Sequence, residues 1–183
     1  ELLHKYGGIY IDADARCLNS LDDFFLENES FSCWENELRR PGLIANGFIG
    51  ATKGNQLIER LIEGISKLDP DILADPIVSP TWMATGPQFL TNTINENPND
   101  QITIYPSHLF IPNHFTGASY SGTDKVYADH VWGSTETALG KVGLDYELLS
   151  AKDAKKFRKP KGKISNKLKD PPPDVVEALV RLF

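Results

Sequence analysis

Apolar positions along the chain recur with two different periods. Leu57, Ile58, Leu61, Ile62, Ile65 and Leu68 follow one another at intervals of three and four, which predicts a helix with one apolar side. Asn55 begins it and Asp69-Pro70 closes it. A second helix is predicted from Pro87 to about Asn95. Short apolar runs predict strands at Ile9–Ile11, Phe31–Trp34, Phe48–Ala51 and Ile102–Tyr105, the first of them buried. Before that first strand, Glu1 to Tyr6 read as the last turns of a helix with Leu2, Leu3 and Tyr6 on one side. Gly7 or Gly8 would supply its left-handed C-cap. Ser20 is expected to cap a helical turn from Asp22 to Leu26, with Leu21, Phe24 and Phe25 turned inward. Pro76, Pro80, Pro106 and Pro112 divide the remaining chain into loops. Helices alternating with short strands predict an α/β domain.

Composition changes this picture little. With 183 residues, 40% of them hydrophobic, the chain can bury a substantial core in one domain. No apolar run approaches the length of a membrane span, and no secretory signal is visible; the compartment stays open. Cys17 and Cys33 are too few to define a disulfide framework and are read as free or buried thiols.

Charge matters more. Residues 1–151 hold 9 Lys/Arg against 21 Asp/Glu, while residues 152–183 hold 10 against 4. The chain therefore divides into an acidic body over 1–150 and a basic, Pro-containing tail over 151–183. An acidic body argues against a general nucleic-acid surface, and no nucleic-acid partner is expected. The run from Lys152 to Lys169 is either a solvated tail or a contact for an anionic membrane or polyanionic acceptor. Pro171-Pro172-Pro173 stiffens the tail, and Asp174 can cap a terminal helix bearing Val175, Val176, Leu179, Val180 and Phe183.

The most informative chemistry stands near the start. Asp12 and Asp14 lie two apart at the end of the first predicted strand, so in extended chain both side chains point the same way. Two ionised carboxylates in one volume need a cation, a shared proton or solvent. Hard oxygen ligands suit Mg²⁺ or Mn²⁺, which commonly bridge to phosphates. The competing interpretation is a turn in which aspartates cap backbone amides. Asn46-Gly47 is similarly double: an amide suited to sugar hydroxyls, or a tight turn. Thr85-Gly86-Pro87 opens the second helix, where free amides favour anions.

The longer string His4-Lys5-Tyr6-Gly7-Gly8-Ile9-Tyr10-Ile11-Asp12-Ala13-Asp14 resembles the signature of the sugar-binding glycosyltransferases with a DXD motif. That group includes yeast-type initiating mannosyltransferases, capsular polysaccharide enzymes and, more distantly, the large clostridial glucosylating toxins. The resemblance continues more weakly through Asn46-Gly47-Phe48, Thr85-Gly86-Pro87 and His130-Val131-Trp132-Gly133-Ser134, covering about the first 135 residues. It implies a GT-A-like fold, a mixed sheet flanked by helices, in which residues 1–150 form the C-terminal part of the catalytic domain. In that family the strands that hold base and ribose precede the opening helix, so the chain is expected to be a piece lacking much of the nucleotide half-site.

The resemblance further implies a UDP- or GDP-sugar donor, Mn²⁺ or Mg²⁺, a glycan, lipid or protein acceptor, and retention of anomeric configuration. Its metal ligands would be Asp12, Asp14 and His130, with Asp12 acting through water or on the ribose. Tyr10, Asn46, Gly47, Gly86, Gln88 and Trp132 would complete the substrate site. The chain departs from the family at Ser134-Thr135, where Ser-Trp is common. His108 and His114 match nothing in it, and Glu35 and Asp129 are acidic residues without an assigned role. Two other classes compete. A haloacid dehalogenase-type phosphatase would use Asp12 as nucleophile, although its pattern continues with Thr or Ser where Ala15-Arg16 stands here. A degenerate transferase that binds sugar or metal without turnover is the other.

Overall fold

The computed structural model describes residues 1–73 and 80–132. The basic tail, its terminal helix and Ser134-Thr135 lie outside the described residues. Within them the chain is mixed α/β. Helix α1 (Leu2–Tyr6) leads into strand β1 (Gly8–Ile11), followed by β2 (Ala15–Cys17), β3 (Ser30–Asn36), β4 (Arg40–Ile44) and β5 (Phe48–Ala51). Helices α2 (Gln56–Ser66), α3 (Pro70–Leu73), α4 (Thr81–Ala84) and α5 (Pro87–Glu96) come next, then β6 (Thr103–Tyr105) and β7 (Ala128–His130).

β3 is the centre of the main sheet. Its seven residues are long enough to take partners in succession along one edge. On that edge β5 pairs with Ser30 and Phe31, and β4 with Trp34 and Asn36, both antiparallel. On the other edge β6 runs parallel to Phe31–Cys33. β4 and β5 thus lie end to end against one strand; Ala45 still donates to the Cys33 carbonyl at 2.9 Å, and Asn46-Gly47 interrupts the pairing between them. Asn46-Gly47 therefore does not reverse the chain as a hairpin turn does; it is an interruption in a ladder. β1 then pairs antiparallel with the outer edge of β5.

The core gathers where β3 meets the returning chain. Phe25, on a 3₁₀ turn at Asp23–Phe25, is fully buried and meets Phe31, Phe110, Tyr105 and Tyr127 at ring separations between 4.8 and 5.4 Å. Ring pairs at these separations add to the burial of their area. Gly50 faces Phe31 across the ladder, and a Cβ placed there would lie 2.0 Å from the Phe31 ring. Gly50→Ala should therefore cost about 1–3 kcal/mol or more through forced repacking, read as a lower urea midpoint at unchanged slope.

Several local expectations need correction. β1 is not buried: it forms an edge, with Tyr10 48% and Ile11 47% exposed. Leu2 and Tyr6 of α1 are exposed as well. Gly7 has positive φ, but its ψ of −171° is extended rather than left-handed helical. The early turn begins at Asp22 rather than Ser20 and has no side-chain cap, while Phe24 is 42% exposed. The opposite holds for α2, where the Asn55 side chain accepts from the Leu57 and Ile58 amides. Of its predicted stripe Leu57 and Ile58 are buried, whereas Ile65 is 41% exposed. β2, β4, β7, α3 and α4 have no counterpart among the elements that the sequence pattern predicts.

Candidate functional site

Three side chains from opposite ends of the described chain meet beyond β1. The strand ends at Ile11, and the Asp12 amide donates to the Gly47 carbonyl at 2.9 Å. A turn follows, closed by the Ala15 amide on the Asp12 carbonyl at 3.0 Å. Asp12 and Asp14 thus converge because the chain turns, not because a strand persists. β2 then pairs with β7, setting Ala15 opposite His130, and the Val131 amide donates to the Asp14 carbonyl at 3.0 Å. This short ribbon brings His130 Nε2 to 2.8 Å from Asp14 Oδ1 and 3.5 Å from Asp12 Oδ2.

Ligand atoms of Asp12, Asp14 and His130 all lie within 4.8 Å of one another. Bonds of about 2.1 Å place the ligands of a small divalent ion at most about 4.2 Å apart, so the group needs only slight tightening to hold Mg²⁺ or Mn²⁺. Two carboxylate oxygens suit a hard divalent ion, and the imidazole nitrogen extends the choice to first-row transition metals.

The surroundings favour this ionised state. The hydrogen bond from His130 holds the Asp12 carboxyl below the usual carboxylate range, helped by Tyr10 and opposed by burial. The Tyr10 hydroxyl donates to Asp12 Oδ1 at 2.6 Å, and that bond, with burial, pushes the phenol up to about 12. Tyr10 therefore remains a donor that fixes the rotation of Asp12. Burial disfavours a charged His130, yet the neighbouring Asp12 and Asp14 outweigh it and raise its pKa. Gly47 matters for space rather than dihedral freedom: a Cβ there would stand 2.9 Å from Asp12 Oδ2.

A cleft of about 220 Å³ opens beside this cluster, lined by Asp12, Asn46, Gly47, His130 and Trp132. The Trp132 ring meets His130 edge-on at 4.5 Å, and its Nε1 donates to the Asn113 carbonyl at 2.8 Å. Gly86 and Gln88 are placed differently. Gly86 is buried, with the Trp82 backbone 2.7 Å from the position of a Cβ, and Gln88 donates to Asn92 Oδ1 along α5. Neither lines the cleft. Asp129 accepts from Asn113 Nδ2 at 3.3 Å, and His108 stacks on Tyr120 at 4.2 Å.

Glu35 lines the cleft too, and His114, which sequence reasoning set aside, is buried against it at 3.3 Å. Arg40, Trp82 and Phe115 complete that wall. Glu35 stands just past the apolar run Phe31–Trp34, and nothing local marks its pairing with His114, 79 residues away.

Comparison with characterised proteins adds one distant relative. The chain is 28% identical over 133 residues to inositol phosphoceramide mannosyltransferase 1 of Schizosaccharomyces pombe, a match covering 67% of this chain and 40% of that protein. The chain thus spans less than half the length of this relative. No family model and no solved structure matches it.

Proposed function

We propose that this chain carries the metal-binding part of a glycosyltransferase donor site, transferring a sugar from a UDP- or GDP-sugar to a hydroxyl of a glycan, lipid or protein acceptor. The observation that carries this reading is the convergence of Asp12, Asp14 and His130 beside a cleft. The distant relation to a mannosyltransferase supports the reaction class.

Asp12, Asp14 and His130 would hold Mn²⁺ or Mg²⁺, which, when bound, neutralises the donor diphosphate and improves its departure. Tyr10 orients Asp12 by donating to Oδ1, leaving Oδ2 turned toward His130. Gly47 keeps the approach to that oxygen free of side-chain atoms. The Asn46 amide, on the cleft wall, can donate to one sugar hydroxyl and accept from another. Trp132 packs edge-on against the ring of His130 and helps to hold it in place. Retention of configuration belongs to the same reading and rests on the resemblance of the motif alone.

The test is a panel of UDP- and GDP-sugars incubated with the complete protein and Mn²⁺, scored by release of nucleoside diphosphate. Release that needs the cation supports the proposal. An aspartyl-phosphate trapped at Asp12 would instead establish phosphatase chemistry.

A pH dependence follows from His130. Cation binding requires the neutral imidazole, and the raised pKa means a proton must be expelled below that value. Mn²⁺ affinity should therefore fall as pH drops through a midpoint above the ordinary histidine value of 6.5 and level off at higher pH. Titration calorimetry across about pH 6 to 9 reads this directly. A flat profile would remove His130 from the ligand set.

A further inference from the structure

Along β3, Phe31 and Cys33 point into the core, and the next residue on that face is Glu35, a carboxylate only 6% exposed. Burying a charge at the end of an apolar column is costly unless it is paired. Its partners are Arg40, with Nε at 3.4 Å, and His114, with Nε2 at 3.3 Å. His114 is held in turn by Thr116 Oγ1 at 2.7 Å from Nδ1. The Arg40 guanidinium lies 5.1 Å from the Trp82 ring centre and 5.7 Å from that of Phe115.

This wall lines the same cleft as Asp12 and His130. Trp132 joins the two, its ring 4.5 Å from that of His130 and 5.0 Å from that of Phe115. The side of Asp12 and His130 is acidic and suited to a cation with its phosphates. The adjoining wall combines a matched ion pair with two aromatic rings.

We propose that Glu35, Arg40, Trp82 and Phe115 form the acceptor subsite, and that it takes an uncharged sugar ring. This rests on the glycosyl-transfer reading and specifies its second substrate. Aromatic faces offer flat apolar area to the C–H side of a pyranose. A carboxylate accepts from vicinal hydroxyls, and a guanidinium donates in its plane. Glu35 already answers the charge of Arg40, so the wall favours a neutral polyol over a phosphate.

The experiment is saturation-transfer NMR on the full 183-residue chain with methyl α-D-mannopyranoside, with and without Mn²⁺. Saturable binding is expected, weakened about tenfold or more by Glu35→Gln and by Trp82→Ala, with Mn²⁺ affinity unchanged in both. Circular dichroism separates lost binding from lost fold, and Trp82→Ala on the short helix α4 carries the test if Glu35→Gln unfolds. No binding by the parent chain, or equal binding by both variants, overturns the proposal. So does displacement by inorganic phosphate, or by UDP-glucose with Mn²⁺, which would assign the wall to the donor. Glycoside binding in a chain that takes no Mn²⁺ would support the subsite while overturning the metal reading.

Discussion

Asp14→Ala should lower the affinity of the chain for Mn²⁺ by at least about 100-fold, if the proposed ligand set holds, beyond the loss usual for a residue that only supports a ligand. Asp14 supplies the shortest contact in the cluster, 2.8 Å to His130 Nε2. Without it, one carboxylate and one imidazole remain, too few anionic oxygens for a hard cation. The fold should survive, because the Asp14 side chain is 35% exposed and its structural bond to Val131 uses the backbone carbonyl. Metal-dependent donor turnover in the complete protein should vanish with the affinity. Calorimetry on a folded variant decides it: an unchanged dissociation constant would mean that the aspartates merely cap a turn.

Phe25→Ala should be the most damaging change to stability, costing about 3–5 kcal/mol. Phe25 has no exposed surface and stands among four aromatic rings from β3, β6 and the chain leading into β7. One of these, Tyr127, directly precedes β7 and bonds through its hydroxyl to Asp22. A void at Phe25 therefore loosens the support of His130 as well as the core. At this chain length the loss corresponds to a fall in melting temperature of about 6–20 °C. A drop of only a degree or two would show that the neighbouring rings can collapse into the space.

What the sequence reveals follows from the range of the interactions involved. α2 was legible because its stripe and its Asn55 cap are local, and α5 because Pro87 opens it. β5 was read correctly at both ends from its apolar run. β4 is not legible locally because Arg40-Pro41-Gly42 has turn composition; it is a strand because β3 extends to Asn36 and offers it an edge. The exposure of β1 is not legible either, because an apolar run does not reveal whether a sheet covers both its faces. At the site, the two aspartates were visible as a motif, although the turn that joins them was not. Asn46-Gly47 looks like a hairpin in isolation and is an interruption between collinear strands in the fold. The Glu35–His114 pair had no local signal, since only the assembled sheet and the late loop bring the two together.

The distance along the chain between Asp14 and His130, 116 residues, has a thermodynamic consequence. A cation held by both would act as a clasp across nearly the whole described body, closing a ribbon of only three paired residues between β2 and β7. Binding to the folded form alone adds about 2.7 kcal/mol when the free ion stands at 100 times its dissociation constant. Thermal melting with and without Mn²⁺, reversed by a chelator, thus becomes an assay that requires no knowledge of donor or acceptor.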